Sequence, residues 1–357
     1  AAQYIRTMIF ALFPFTIYSI LRRFLQNQGV ATPLMFAGFI AVVLQIIFMI
    51  LTVIVFKMGF LGVPIAQIFT NTGSCCFLII YILWTGSYKL LLVKITKETF
   101  QGLLTWLKLG IAGMFMLCAE MWGFEINILI AGLIDKDSLA AMTLLLTVIT
   151  LFYTIPLGIS ISATTKVGNA LGSKNLEQVT IISRLVISIA FIVQCISAVI
   201  VVSTCKYWVQ LFTRDNAVIE IVLQTVPLLG IFTIMDAVQT TIAGILRGAG
   251  KQVWGASVYI FSYYVIGLTT GLVLVFVVNI GLRGLWLGIT SASLSSMIIL
   301  ILYFKFFMSW PKLIEEASKR IEGNEIITKE ENICSLEIQE SSCEIEMESL
   351  LDENHLE

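Results

Sequence analysis

Histidine is nearly absent: the 357 residues hold one, His355, close to the C-terminal end. A His-ligated metal site, a His general base and a Ser-His-Asp triad are excluded on that count. Charge is scarce too, at 13% of residues, about half the share of an ordinary soluble domain. No basic stripe lies outside the short loops, which argues against nucleic acid as a partner. The seven cysteines are odd in number and no pair has zinc-site spacing, so a disulfide scaffold and a zinc module are both excluded. Gly168-Asn-Ala-Leu-Gly172 lacks the Lys-Ser/Thr ending of a phosphate loop and reads as a tight turn on the cytoplasmic side. Without a nucleophile beside a base, an enzyme has no support, and no cofactor or metal is expected.

What the chain has is apolar surface. Residues of the AVILMFWYC set make up 58%, against roughly 45–50% in soluble domains, and mean hydropathy is +0.94. About 20 apolar residues cross a bilayer. Nine runs qualify, near 4–20, 33–56, 62–86, 105–133, 139–162, 181–204, 219–244, 254–278 and 284–307. The expected fold is therefore an all-α integral membrane protein. Charge divides unevenly: residues 1–310 hold 18 Lys/Arg and 9 Asp/Glu, while 311–357 hold 4 and 14. One alternate set of loops carries ten positives, Arg22 to Lys251, and the other carries five. The positive-inside rule puts the richer set, and the acidic tail with it, in the cytoplasm. The first residue is Ala and no signal-peptide pattern precedes the first run, which reads as a processed chain or one without its true N-terminus.

An internal repeat organises the runs. Arg23-Phe-Leu-Gln-Asn-Gln28 and Arg247-Gly-Ala-Gly-Lys-Gln252 stand 224 residues apart, and Gly59-Phe-Leu-Gly62 and Gly281-Leu-Arg-Gly284 stand 222 apart. Each pair opens or turns a long apolar hairpin. Six spans separate the units, as in a parallel repeat of two six-helix halves. By that count the chain holds the last three helices of one half and all six of the other, with three more expected upstream. Alone, such a chain is expected to be inactive.

Three of the nine acids before residue 310 lie inside spans: Glu120 and Glu125 in the fourth, Asp236 in the seventh. An ionisable group at the bilayer centre costs about 2.5–3.5 kcal/mol on insertion scales. Neither span has a basic residue at similar depth, so each acid is either protonated or faces water and binds cations. An antiporter needs both states. A proton arriving from one side displaces a bound cation, and a cation from the other side displaces the proton. Glu120 and Glu125 point about 140° apart on an ideal helix. Glu120 and Asp236 are therefore the expected pair and Glu125 the next candidate. Trp122 could stack on a planar cation, and Gln239, one turn from Asp236, could orient its carboxyl. Tyr153, Tyr263 and Tyr264 could line a cavity or form an interfacial belt. Pro156, Gly158 and Pro227 should loosen their spans as hinges.

Four stretches resemble the multidrug and toxic compound extrusion (MATE) transporters, in particular their eukaryotic, proton-coupled branch. They are Leu21-Arg-Arg-Phe-Leu-Gln-Asn-Gln-Gly29, Cys118-Ala-Glu-Met-Trp-Gly-Phe-Glu125, Pro156 to Gly172, and Gly244-Ile-Leu-Arg-Gly-Ala-Gly-Lys-Gln252. The resemblance implies a two-lobed helical bundle. Residues 1–86 would be the rest of an N-lobe and 87–104 a cytoplasmic inter-lobe linker. Residues 105–309 would be the C-lobe, and 310–357 an acidic cytoplasmic tail, disordered after a short helix lying on the membrane surface. It implies antiport of protons against organic cations or xenobiotics; a monomer in the plasma membrane is expected. Glu120 and Glu125 match the two acids of the family's seventh helix, and Asp236 stands where its tenth usually carries Glu. Thr147 is a departure, since animal members often have Glu there. Sodium coupling and a lipid-linked oligosaccharide flippase remain as alternatives. The latter would want cationic residues around its cavity.

Overall fold

The computed structural model describes residues 2–30, 32–86, 103–316 and 318, with the backbone alone for 105 and 106. Most of the expected linker and the acidic stretch after Gly323 lie outside the described residues. Among the described residues every regular element is helical, and nine helical runs are long and apolar enough to cross a membrane. They coincide one for one with the nine apolar runs. In hydrocarbon a helix is stable because it satisfies its own backbone within one segment.

The chain divides into two compact units, Ala1–Thr99 and Phe100–Glu357. The first contains α1 (Ala2–Asn27), α2 (Thr32–Met49), which continues as a π-helical segment (Ile50–Val55), and α3 (Gly62–Trp84). Its core is small: Leu25, Ala37, Leu78 and Ile82. α1 passes Pro14 without a break.

The second unit holds α4 (Leu103–Ile134), α5 (Lys136–Gly172), α6 (Leu176–Ser203), a short α7 (Cys205–Phe212) and α8 (Asn216–Gly248). Then come α9 (Gln252–Ile260), a π-helical segment (Phe261–Leu268), α10 (Thr269–Phe276) and α11 (Leu282–Leu302). Asp135 and Asp215, loop acids by sequence, are N-caps: Asp135 accepts from the Ser138 N–H at 2.6 Å, and Asp215 from the Ala217 N–H at 3.0 Å.

α8 is the hub. Every residue from Asp236 to Leu246 is buried. α5 runs parallel to it with partners 80 residues apart. Ser160 Oγ donates to the Thr240 carbonyl at 2.6 Å, and Thr164 Oγ1 donates to the Gly244 carbonyl at 2.9 Å. A Cβ on Gly244 would stand 2.4 Å from the Ser160 carbonyl oxygen, and one on Gly248 would stand 2.5 Å from that of Thr164. Small residues at four-residue spacing let two membrane helices meet backbone to backbone.

That contact overturns one expectation. Gly168 to Gly172 is not a turn but the end of α5, held helical against α8, where Gly168 faces the Gly248 carbonyl. The chain reverses later. Lys174 takes φ +56°, its N–H reaches the Leu171 carbonyl, and the Asn175 N–H reaches that of Ala170. This is the Schellman closure of a helix.

The repeat is visible in local geometry. Lys57 and Gly59 have positive φ, as do Asn279 and Gly281, 222 residues on. The Met58 N–H bonds the Thr52 carbonyl as the Ile280 N–H bonds that of Leu274. The other pair of turns matches at 221 rather than 224: Gly29 corresponds to Gly250 and Gln26 to Arg247, so Arg23 is not the counterpart of Arg247. Residues 310–316 form the short helix expected at the start of the tail. Its Leu313 is buried among Leu171, Val179 and Ala249, so this helix packs on protein and not simply on lipid.

Candidate functional site

Three helical runs of the second unit bring polar groups to one buried point. α4 supplies Glu120, α8 supplies Asp236 and Gln239, and the π-helical segment supplies Tyr263. Glu120 and Asp236 are each 3% exposed. The Gln239 amide nitrogen lies 2.9 Å from Asp236 Oδ1, 3.3 Å from Glu120 Oε1 and 2.8 Å from Tyr263 Oη. Tyr263 Oη donates to Glu120 Oε1 at 3.1 Å. From α11, Ser296 Oγ donates to the Gln239 amide oxygen. Neither carboxyl takes part in an ion pair among the described residues.

The local backbone makes this possible. A π-helical turn holds an extra residue and re-aims the side chains that follow, and it recurs at functional sites. Here it carries Tyr263 toward α4. Gly123 makes room, since a Cβ there would lie 3.1 Å from Tyr263 Cδ1. Aromatic packing backs the cluster, with Tyr259 stacked on Tyr263 at 5.9 Å and Phe124 edge-on to Phe232 at 5.8 Å.

Glu120 and Asp236 open on a cavity of about 400 Å³. Its walls are mostly apolar: Met121, Phe124, Ile128, Ile149, Leu157 and Phe232, with Tyr153, Thr150 and Thr154 as neutral polar groups. Glu125 lines the same cavity. Two buried acids, a third on the wall and no lysine or arginine among the described lining residues suit a positively charged, largely apolar guest.

The structure thus gathers Glu120, Asp236, Gln239, Glu125 and Tyr153 around one cavity. It does not place Trp122 there. Two residues past Glu120 is some 200° around a helix, and Trp122 is 55% exposed on another face. Tyr264 and Thr147 also lie outside the lining, and Thr147 borders a separate groove with Phe212 and Val218. α5 and α8 run unbroken through Pro156 and Pro227. Sequence reasoning missed Ser296. A serine in an apolar span carries no periodic signal, and only the fold shows its partner.

Comparison with known proteins agrees with this architecture. Residues 113–273 match the MatE family model. Multidrug and toxin extrusion protein 1 of Danio rerio is 30% identical over 98% of this chain and 60% of its own length. An uncharacterized transporter of Schizosaccharomyces pombe is 31% identical over 90% of this chain and 60% of its own. The crystal structure of the eukaryotic MATE transporter AtDTX14 superposes with a TM-score of 0.85 at 28% identity, covering 89% of this chain and 71% of that one. The chain therefore spans about 60% of the length of these curated relatives. On matched sequence and fold together, it is a multi-pass membrane protein of the MATE family.

Proposed function

We propose that the protein is a secondary transporter that expels organic cations or xenobiotics in exchange for protons. Glu120 and Asp236 are the shared binding place, and Glu125 is an accessory acid on the cavity wall. The observation that carries this is a pair of buried carboxyls without an ion-pair partner among the described residues, opening on an apolar cavity of about 400 Å³. A buried acid in a membrane helix must be neutral or find a cation. Either guest satisfies it, and competition for one seat couples their fluxes. Gln239, held by Ser296, keeps the two carboxyls in register whichever guest is bound. Bending of α5 near Pro156 and Gly158, and of α8 near Pro227, would supply the change of access.

The charge bias of the loops supports a cytoplasmic side for the 249–251 turn and the tail, and the plasma membrane is the expected site. An acidic, apolar lining fits a cation better than the pyrophosphate of a lipid-linked saccharide.

The test is coupling in the full-length protein, reconstituted in liposomes. A pH gradient alone should drive uptake of a fluorescent organic cation, and a sodium gradient at matched pH should not. Uptake that follows sodium and ignores pH would replace protons by sodium in this reading.

A further inference from the structure

The connection between α6 and α8 contains a helix too short to cross a membrane. α7 (Cys205–Phe212) has eight residues, a rise of about 12 Å against a hydrocarbon core of about 30 Å. It stands between the end of one span, Ser203, and the start of the next, Asn216. The 249–251 turn follows the other end of α8, so α7 is held at the opposite membrane edge.

Its residues divide the helix surface into three sectors. Val209 and Trp208 face the protein. Val209 has no exposed surface and shares a core with Val201 of α6 and Val218 of α8, and the Trp208 indole N–H donates to the Val201 carbonyl at 3.0 Å. Lys206 and Gln210 form an exposed polar sector. Tyr207 and Leu211 form an exposed apolar one, about 100° further round, and are 76% and 85% exposed. Arg214, just past the helix, is exposed as well. Neither it nor Lys206 pairs with a carboxylate among the described residues.

The preceding span shows what covers the apolar sector. α6 leads into α7 with Ile192, Ile196 and Val199 exposed at four- and three-residue spacing, a stripe that a membrane span turns to hydrocarbon. At the end of such a span the surroundings are lipid headgroups above acyl chains. A helix with an apolar sector and a cationic one lies in that layer, its apolar side chains at the acyl boundary and its cations on anionic headgroups. Tyrosine is enriched at this level because its ring is apolar and its hydroxyl is not.

We propose that α7 is an interfacial anchor that takes anionic phospholipid: Tyr207 and Leu211 enter the acyl boundary, and Lys206 and Arg214 meet the lipid phosphates. Through Val209 and Trp208 the anchor sets the depth at which α6 ends and α8, the helix of Asp236 and Gln239, begins. The proposal does not rest on which ion is exchanged for which substrate.

The test is photocrosslinking in the full-length protein, reconstituted in vesicles of phosphatidylcholine mixed with phosphatidylglycerol. Benzoylphenylalanine replaces Tyr207, Leu211 or Gln210, one at a time. All three positions are exposed, each variant is checked for a monodisperse profile, and the two apolar positions are read independently, so that one misfolded protein does not decide the result. Mass spectrometry of the adducts should find phospholipid at 207 and 211 roughly tenfold above the level at 210, with phosphatidylglycerol over-represented relative to the vesicle. Lys206→Gln together with Arg214→Gln should return phosphatidylglycerol to its vesicle share. Adducts of 207 and 211 to protein, whether this chain or a second copy, overturn the proposal, and so does lipid labelling no higher than at 210. Phosphatidylglycerol at its vesicle share without the double substitution, or equally enriched with it, overturns the part given to the two cations.

Discussion

Tyr263 gives its hydroxyl to Glu120 Oε1 at 3.1 Å, across the contact between α4 and the π-helical segment after α9. The bond depends on Gly123, one turn from Glu120, where a methyl group would press the tyrosine ring at 3.1 Å. Tyr263→Phe keeps the ring and removes the donor. A hydrogen bond to a charged group contributes about 1.5–3 kcal/mol, so apparent affinity for an organic cation should fall about tenfold or more. Gly123→Ala should show a smaller loss in the same direction. Both are read as KM in liposome uptake, and an unchanged KM in Tyr263→Phe would remove this tyrosine from the site.

Gln239 serves Glu120, Asp236, Tyr263 and Ser296 at once. Gln239→Leu leaves those groups buried without a shared partner, at roughly 1–3 kcal/mol for each one left unsatisfied. The expected outcome is a lower melting temperature in detergent together with loss of uptake. Ser296→Ala frees only the amide oxygen, so it should fold normally and lose uptake in part.

Gly244 has no space for a side chain, because a Cβ would meet backbone atoms of Ser160 at 2.4 Å. Gly244→Ala must therefore separate α5 from α8, at about 1–3 kcal/mol. Thermal unfolding in detergent should register a drop of several degrees. Gly172→Ala is the control, since nothing lies within 4 Å of its Cβ position and its φ is ordinary.

Trp122 and Tyr153 separate cavity from surface. Tyr153 lines the cavity and Trp122 does not. Trp122→Ala should leave KM within about twofold of wild type, as expected for a surface change away from the site. Tyr153→Ala should alter which cations are carried. The opposite pattern in a panel of fluorescent cations would put the binding surface on the other face of α4.

How much of this was legible in the residues follows from what kind of signal each feature leaves. Long apolar runs leave little choice but helices, so all nine spans were legible. Their ends were less so: α5 runs on through Gly168 and Gly172 because those glycines meet another helix, which no local pattern states. Glu120 and Asp236 stood out because an acid in an apolar run is costly and must have a reason. That Gln239 lies with both was legible only as far as Asp236, one turn away. Its reach to Glu120, 119 residues back, belongs to tertiary packing. Trp122 lies off the cavity lining although it stands between two acids that line it, because nearness in sequence is not nearness on a helix.

The central claim is that Glu120 and Asp236 hold protons and organic cations in turn. The most direct measurement is pH-driven uptake of an organic cation by liposomes containing wild type, Glu120→Gln or Asp236→Asn, each at equal protein content. The account predicts uptake near the protein-free baseline for both variants, with folding unchanged by melting curve. Uptake at the wild-type rate in either variant would contradict it.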